Sequence, residues 1–315
     1  MLSRTADHLY WMARYTERAE NLARMLEVNY RMSLLPQGSE IVEQGWVATL
    51  TIIGLYDAFR QRYGAVTPTN AIAFLVFDRD NPQSIYSCVR AARENARAVR
   101  GTLTSEIWET INSTWLDMRV AGMRASSEAE VGNFFEWVKH RSHLTRGVIQ
   151  GTMLRDEAWH FAWLGTYLER SDSTARILDV KYHLLLPRGE KVGGAADYYQ
   201  WSALLHSVSA FEIYRRVYRD LITPRRVAEL LVLRDDMPRS IRRCMAQVYT
   251  HLIAVRNGHS AETERRAGEL QASLNFGRID DIFEMGLHEY LVEFMGRTRD
   301  LGERVSKDFL VSAAD

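Results

Sequence analysis

Six prolines and two cysteines are all that the 315 residues hold of either. So few prolines leave room for long uninterrupted helices. Two cysteines cannot build the disulfide framework of a small secreted domain. Cys88 and Cys244 stand 156 residues apart, at equivalent places in the repeat described below, and are expected to be reduced and buried in matching core niches. Charge of one sign is also missing: Lys+Arg and Asp+Glu both number 40. With no net charge there is no bulk attraction for nucleic acid or an anionic membrane, and neither is expected as a partner. No run of about 18 apolar residues occurs that could span a bilayer. The first residues, Met1 to His8, lack the apolar stretch of a secretory signal, so the chain reads as cytoplasmic. Zinc-ligand spacing, a glycine-rich phosphate loop and a nucleophile elbow are absent too, so no cofactor, metal or catalytic residue is assigned.

What the sequence does contain is a repeat. The stretch from Trp11 to Tyr30 returns as Trp163 to Tyr182 at a constant offset of 152 residues. Trp11, Tyr15, Glu17, Arg18, Ala23, Arg24, Leu26, Val28 and Tyr30 each meet an identical residue, while Glu20 meets Asp172 and Glu27 meets Asp179. A second block, Thr67-Pro68 to Ile85, returns as Thr223-Pro224 to Ile241 at an offset of 156. A repeat of this kind sets the architecture. The expectation is an all-α protein made of two tandem copies of a multi-helix bundle, residues 1–150 and 151–315, packed together with pseudo-two-fold internal symmetry. The bridge at Gly147 to Gly151 is short and lacks linker composition, which favours packed rather than tethered copies.

Periodicity and capping signals predict the helices. A leading helix spans about Arg4 to Met32, with His8, Trp11, Met12, Tyr15, Ala19, Leu22, Leu26 and Tyr30 on an apolar side. Glu17, Glu20, Arg24 and Glu27 fall opposite. After the break at Leu35-Pro-Gln-Gly38, one helix is expected from about Glu40 to Tyr63. Thr67-Pro68 and Thr223-Pro224 read as helix starts, the threonine capping and the proline at the first helical position. Those helices end near Phe77 and Leu233, and Asp80-Asn81-Pro82 and Asp236-Met237-Pro238 are expected to start the next ones in the same way. Further helices are predicted over Pro82 to Arg100 and Thr104 to Met123, then, beyond the polar patch Arg124 to Glu128, through Phe134 to Leu144. In the second copy a loop is expected at Leu186-Pro-Arg-Gly189, and the last helix runs from about Asp280 to Phe309.

The repeated Glu-Arg is the first candidate for chemistry. Adjacent helical residues point about 100° apart, so Glu17 and Arg18, like Glu169 and Arg170, must address different neighbours. They form either structural cement or a polar site, since an arginine fork binds carboxylate or phosphate bidentately and suits acidic peptide ends or nucleotides. Glu20 with Arg24 and Asp172 with Arg176 are i,i+4 pairs on a supporting polar face. Arg90, Arg93, Arg97 and Arg100 form a possible anion-binding stripe along one helical face. Glu157-x-x-His160 resembles half of a di-metal motif, but its counterpart reads Thr5-Ala-Asp-His8 and supplies no second carboxylate at that position. His140 with His143 and Glu284 with His288 are similarly isolated. Asp78 and Asp80 read as capping residues.

Tyr-x-Glu-Arg-Ala-Glu-Asn-x-Ala-Arg from Tyr15 and Tyr-x-Glu-Arg-Ser-Asp-x-x-Ala-Arg from Tyr167 resemble the signature of the alpha-E domain family. Phe77 to Ser84, Ala92 to Arg97 and Gly151 to Glu157 resemble other blocks of it. That is a bacterial all-helical family named for its Glu-Arg motif and found as a tandem duplication. The resemblance implies a place in a predicted peptide synthesis or modification system, beside ATP-grasp ligase-like proteins, transglutaminase-like proteins and N-terminal-nucleophile peptidases. It marks Glu17, Arg18, Glu169 and Arg170 as the signature pairs, with no catalytic role attached. The expected function is a non-catalytic adaptor or accessory subunit that binds an ATP-grasp ligase-like partner or its peptide substrate, with a transglutaminase-like protein as a further partner; a homo-oligomer is compatible. The alternative is a catalytic subunit of the same system, in which the Glu-Arg pairs supply acid/base chemistry and carboxylate binding.

Overall fold

The computed structural model describes residues 1–33, 38–124, 128–183 and 194–310. All the regular structure among them is helical. In chain order the helices are α1 (Ser3–Ser33), α2 (Ser39–Ile52), α3 (Tyr56–Tyr63), α4 (Pro68–Ile72), α5 (Ile85–Ala98), α6 (Ser105–Arg124), α7 (Glu128–Thr152) and α8 (Glu157–His183). They continue with α9 (Ala195–Ser207), α10 (Phe211–Tyr218), α11 (Pro224–Ala228), α12 (Ile241–Ala254), α13 (Ala261–Phe276), α14 (Ile279–Met285) and α15 (Leu287–Phe309). No helix among the described residues is long and apolar enough to cross a membrane.

The two long helices α1 and α8 lie side by side and run the same way: Met1 meets Glu157, the Tyr10 carbonyl meets Gly165, and Glu17 meets Arg170. Around α1 stand α5 and α7, joined through α6; around α8 stand α12 and α15, joined through α13. The central helices are therefore flanked on several sides, and the side of α1 that carries Glu17, Glu20, Arg24 and Glu27 is not solvated. All four residues are buried. Two apolar clusters fill the interior. One, around Leu26, Trp46, Phe59 and Phe135, stays within the first half of the chain. The other joins Leu9, Tyr10 and Ile107 to Phe161, Leu164, Tyr214 and Met245, so it spans both halves.

Several expected boundaries move. The helix expected from Glu40 to Tyr63 is two, because Gly54 takes a left-handed φ of 72° and turns the chain between α2 and α3. Thr67 and Thr223 do cap α4 and α11, accepting from the backbone N–H of Asn70 and Arg226. Each of these short helices then widens into a π-turn, over Ala73–Phe77 and Glu229–Leu233. The next helices do not start at the Asp-x-Pro segments. Ser84 and Ser240 cap α5 and α12 instead, and Asp78 closes the preceding turn by accepting from the Asp80 N–H at 2.9 Å. Gly147 to Gly151 is not a bridge but the last turns of α7; the chain leaves the helix at Met153 to Asp156. The last helix is divided at Gly286, whose φ is 99°. The breaks expected at Leu35-Pro-Gln, at Ala125 to Ser127 and at Leu186 to Gly189 lie outside the described residues. Cys88 and Cys244 are buried, and burial pushes both thiols up to about 12.

Candidate functional site

The close approach of α1 and α8 begins with Gly165. A Cβ there would run into the Tyr10 carbonyl of α1, so the missing side chain lets the two backbones touch. One to two turns further on, the signature residues reach across. Arg18 donates to Glu169 from Nε (2.6 Å) and Nη2 (2.9 Å), and Arg170 donates to Glu17 from Nε (2.9 Å) and Nη2 (2.8 Å). Each arginine thus forks onto the glutamate of the other helix, and adjacent Glu and Arg address different neighbours as their helical spacing requires.

More guanidiniums converge on the same carboxylates. Arg14 donates from Nε to Glu169 at 2.7 Å, Arg146 to Glu17 at 2.8 Å, and Arg239 to Glu17 at 3.2 Å. Glu20 is ringed by Arg24 at 2.8 Å, Arg146 at 2.5 Å, His143 at 3.3 Å, and Arg239. Burial raises the Glu17 and Glu169 carboxyls, but the arginines outweigh it and hold both at about 2. Glu20 is likewise held well below the usual range, its burial overcome chiefly by Arg239. Arg239 goes the other way: burial, only partly offset by Glu20 and Glu17, brings it down to about 10. Arg14 and Arg146 carry no motif and escaped the sequence reading, and Asn21, though inside the signature that starts at Tyr15, was given no role there. Only the position of Arg14, one turn before Arg18, could have hinted at a second fork on Glu169.

Beside this centre a cleft of about 560 Å³ opens between α1, α8 and α15. Trp11, Tyr15 and Arg18 line one wall, Glu169, Asp172 and Arg176 another, and Thr298 and Gly302 a third. Arg176 donates from Nε to Asp172 at 2.6 Å and from Nη1 to the Ile52 carbonyl at 2.8 Å, fixing α8 to the end of α2. A smaller recess gathers Tyr167, Arg170 and Pro238 with Asp235, Asp236 and Arg243. Of the supporting pairs, Glu20 with Arg24 is sealed in the interior, whereas Asp172 with Arg176 faces the cleft.

The family model of Alpha-E, "a predicted alpha-helical domain with a conserved ER motif", matches residues 1–310. The chain belongs to the Alpha-E family. It is similar to an uncharacterized protein of Mycobacterium bovis, 25% identical over 313 residues, which cover 93% of this chain and 35% of the relative. Uncharacterized proteins from two strains of Mycobacterium tuberculosis match with the same identity and coverage. The chain thus spans about a third of the length of the curated relatives it matches. No solved structure matches it.

Apart from His143, the remaining candidates of this Alpha-E chain lie away from the Glu-Arg centre. Arg90, Arg93 and Arg97 sit on α5, and none lines the cleft: Arg93 donates to Asn112 at 3.0 Å and to Glu94 at 2.5 Å, and Arg97 lies 3.6 Å from Glu94. Arg93 and Arg100 also lie over the Trp108 ring, a packing use of the stripe. Glu157 is exposed and receives the N-terminal ammonium at 2.5 Å, while His160 Nδ1 lies 2.9 Å from His251 Nδ1. The two halves of the Glu-x-x-His motif therefore point to different neighbours. No group of three or more His, Cys, Asp or Glu placed to hold a metal occurs among the described residues. His288 lies 2.6 Å from Asp179, and His143 joins the Glu20 cluster.

Proposed function

We propose that this Alpha-E chain is a non-catalytic adaptor of a cytoplasmic peptide synthesis or modification system, built from two copies of one helical unit related by a pseudo-two-fold axis. It would bind an ATP-grasp ligase-like partner or that partner's peptide substrate, with a transglutaminase-like protein as a further associate. The state of the signature carboxylates carries this reading. A general acid or base must exchange its proton near the working pH. Glu17 and Glu169 are buried, forked by arginines and held at about 2, so they serve as anchors between α1 and α8 rather than as proton carriers. What remains open beside them is a cleft, the feature of a binding module.

Two further observations support the reading. In the mycobacterial relatives the matched segment is about a third of a longer chain, so there it works beside other segments. The duplication is supported by the crossed Arg18–Glu169 and Arg170–Glu17 forks, and by the matched caps at Thr67 and Thr223 and at Ser84 and Ser240. Tagged full-length chain, expressed with an ATP-grasp ligase-like protein, is expected to co-purify with it and to show no turnover alone. Loss of product in Glu169→Gln, with complex and melting temperature unchanged, would overturn the adaptor reading.

A further inference from the structure

We propose that the cleft between α1, α8 and α15 receives the C-terminal carboxylate of a peptide, with Arg18 and Asn21 on its oxygens and Thr298 on the facing wall. This rests on the reading of the chain as a binding module and names what its cleft holds.

Asn21 and Thr298 are 3% and 4% exposed, and both line the cleft. Each carries a polar atom that has no partner among the described residues, the amide Nδ2 of Asn21 and the hydroxyl of Thr298. Leaving such a group unmade costs about 1–3 kcal/mol, which calls for a ligand or a sequestered water to complete it. The Asn21 amide is oriented, because its Oδ1 accepts from Arg239 Nη1 at 2.9 Å; the end left over is the donor. Arg18 commits Nε and Nη2 to Glu169, and Arg14 commits Nε to Glu169 and Nη1 to the Tyr10 hydroxyl. Among the described residues, this leaves Arg18 Nη1 and Arg14 Nη2 as further donors. A site with donors to spare selects an oxyanion.

Charge then chooses between oxyanions. The cleft is lined by four arginines against three carboxylates, a surplus of one positive charge. A carboxylate matches it, whereas a phosphate monoester, at about −1.5 to −2, exceeds it. Trp11 and Tyr15, with ring centroids 5.5 Å apart, and the apolar Leu22 and Met25 offer a surface for the residues preceding that carboxylate. A volume of about 560 Å³ falls in the range of small-ligand pockets. Among the described residues the site occurs once. At the repeat offset Asn21 meets Ser173 and Arg14 meets Thr166, and the recess at Arg170 carries Asp235 and Asp236, which repel an anion.

The test equilibrates full-length chain with a random tetrapeptide library bearing free C-termini, and separately with the same library amidated. Retained peptide is quantified by mass spectrometry. Free acids are expected to be retained about tenfold over amides, the worth of one charge-assisted hydrogen bond. Asn21→Asp keeps an oxygen for Arg239 and replaces the donor by a second oxygen. It should lose that retention while its melting temperature holds, and Thr298→Val should weaken retention several-fold. Equal retention of acids and amides, retention of neither, an unaffected Asn21→Asp, or displacement by inorganic phosphate at lower concentration than by acetate would each overturn the proposal. Co-purification of the ATP-grasp partner is scored on the same protein. An intact complex without carboxylate selectivity removes the cleft ligand alone, and selectivity without a complex removes the partner alone.

Discussion

Glu169 shows how much one side chain can hold. Its carboxylate, itself buried, binds the half-buried Arg18 and Arg14 of the other long helix, so Glu169→Gln leaves two guanidiniums without their counter-charge. Removing one partner of such a pair is expected to cost about 3–5 kcal/mol, read as a lowered urea midpoint at pH 7. The pH dependence has a defined sign. Glu17 and Glu169 are held at about 2 in the fold, against an ordinary value near 4.5. Their contribution, about 3 kcal/mol each, is complete above about pH 4.5 and lost as the pH falls toward 2. His251 is brought down to about 4, first by burial and then by His160, so its share is complete above its ordinary 6.5 and lost as the pH falls through 4. Stability followed from pH 7 to 2 should therefore decline in two stages. His251→Leu should remove the upper stage and Glu169→Gln should shrink the lower.

At the scale of elements, the contact between α1 and α8 depends on a residue that offers nothing. Gly165→Ala would set a methyl group against the Tyr10 carbonyl and push the helices apart, loosening the forks one turn beyond. A loss of about 1–3 kcal/mol is expected by chemical denaturation. Gly147→Ala is the control: it lies inside α7 with nothing within 4 Å of the added methyl group, so helix propensity alone should stabilise by up to about 1 kcal/mol. The capping threonines were legible because Thr-Pro combines a side-chain acceptor with a preset φ. The serine caps at Ser84 and Ser240 were not, because Asp-x-Pro two residues earlier gives the same local signal and only the folded turn shows which oxygen meets the helix.

For the whole molecule, the two halves complete each other. One apolar cluster runs from Leu9 and Ile107 into Phe161 and Met245, and the described partners of Glu169 at the centre, Arg14 and Arg18, both come from the first half. Residues 1–153 and 154–315, expressed separately, are expected to lack cooperative unfolding. Co-expressed, they should elute as one species with the circular dichroism of the intact chain. Two halves that each fold and stay apart would show that the shared core is dispensable.

By itself the sequence determined the helical class, the family, and the separation of Glu from Arg. The class and the separation follow from local periodicity, caps and a repeat that can be aligned without coordinates, and the family from the resemblance of the motifs at Tyr15 and Tyr167 to its signature. Only the tertiary structure decided that the charged side of α1 faces inward, that Arg14, Arg146 and Arg239 join the signature pairs, and that Asn21 and Thr298 border a cleft. Such facts depend on side chains distant in the chain meeting in a medium of low dielectric, where a carboxylate persists only beside its guanidiniums. A helical wheel records which residues share a side; it does not say whether water or another helix lies against them.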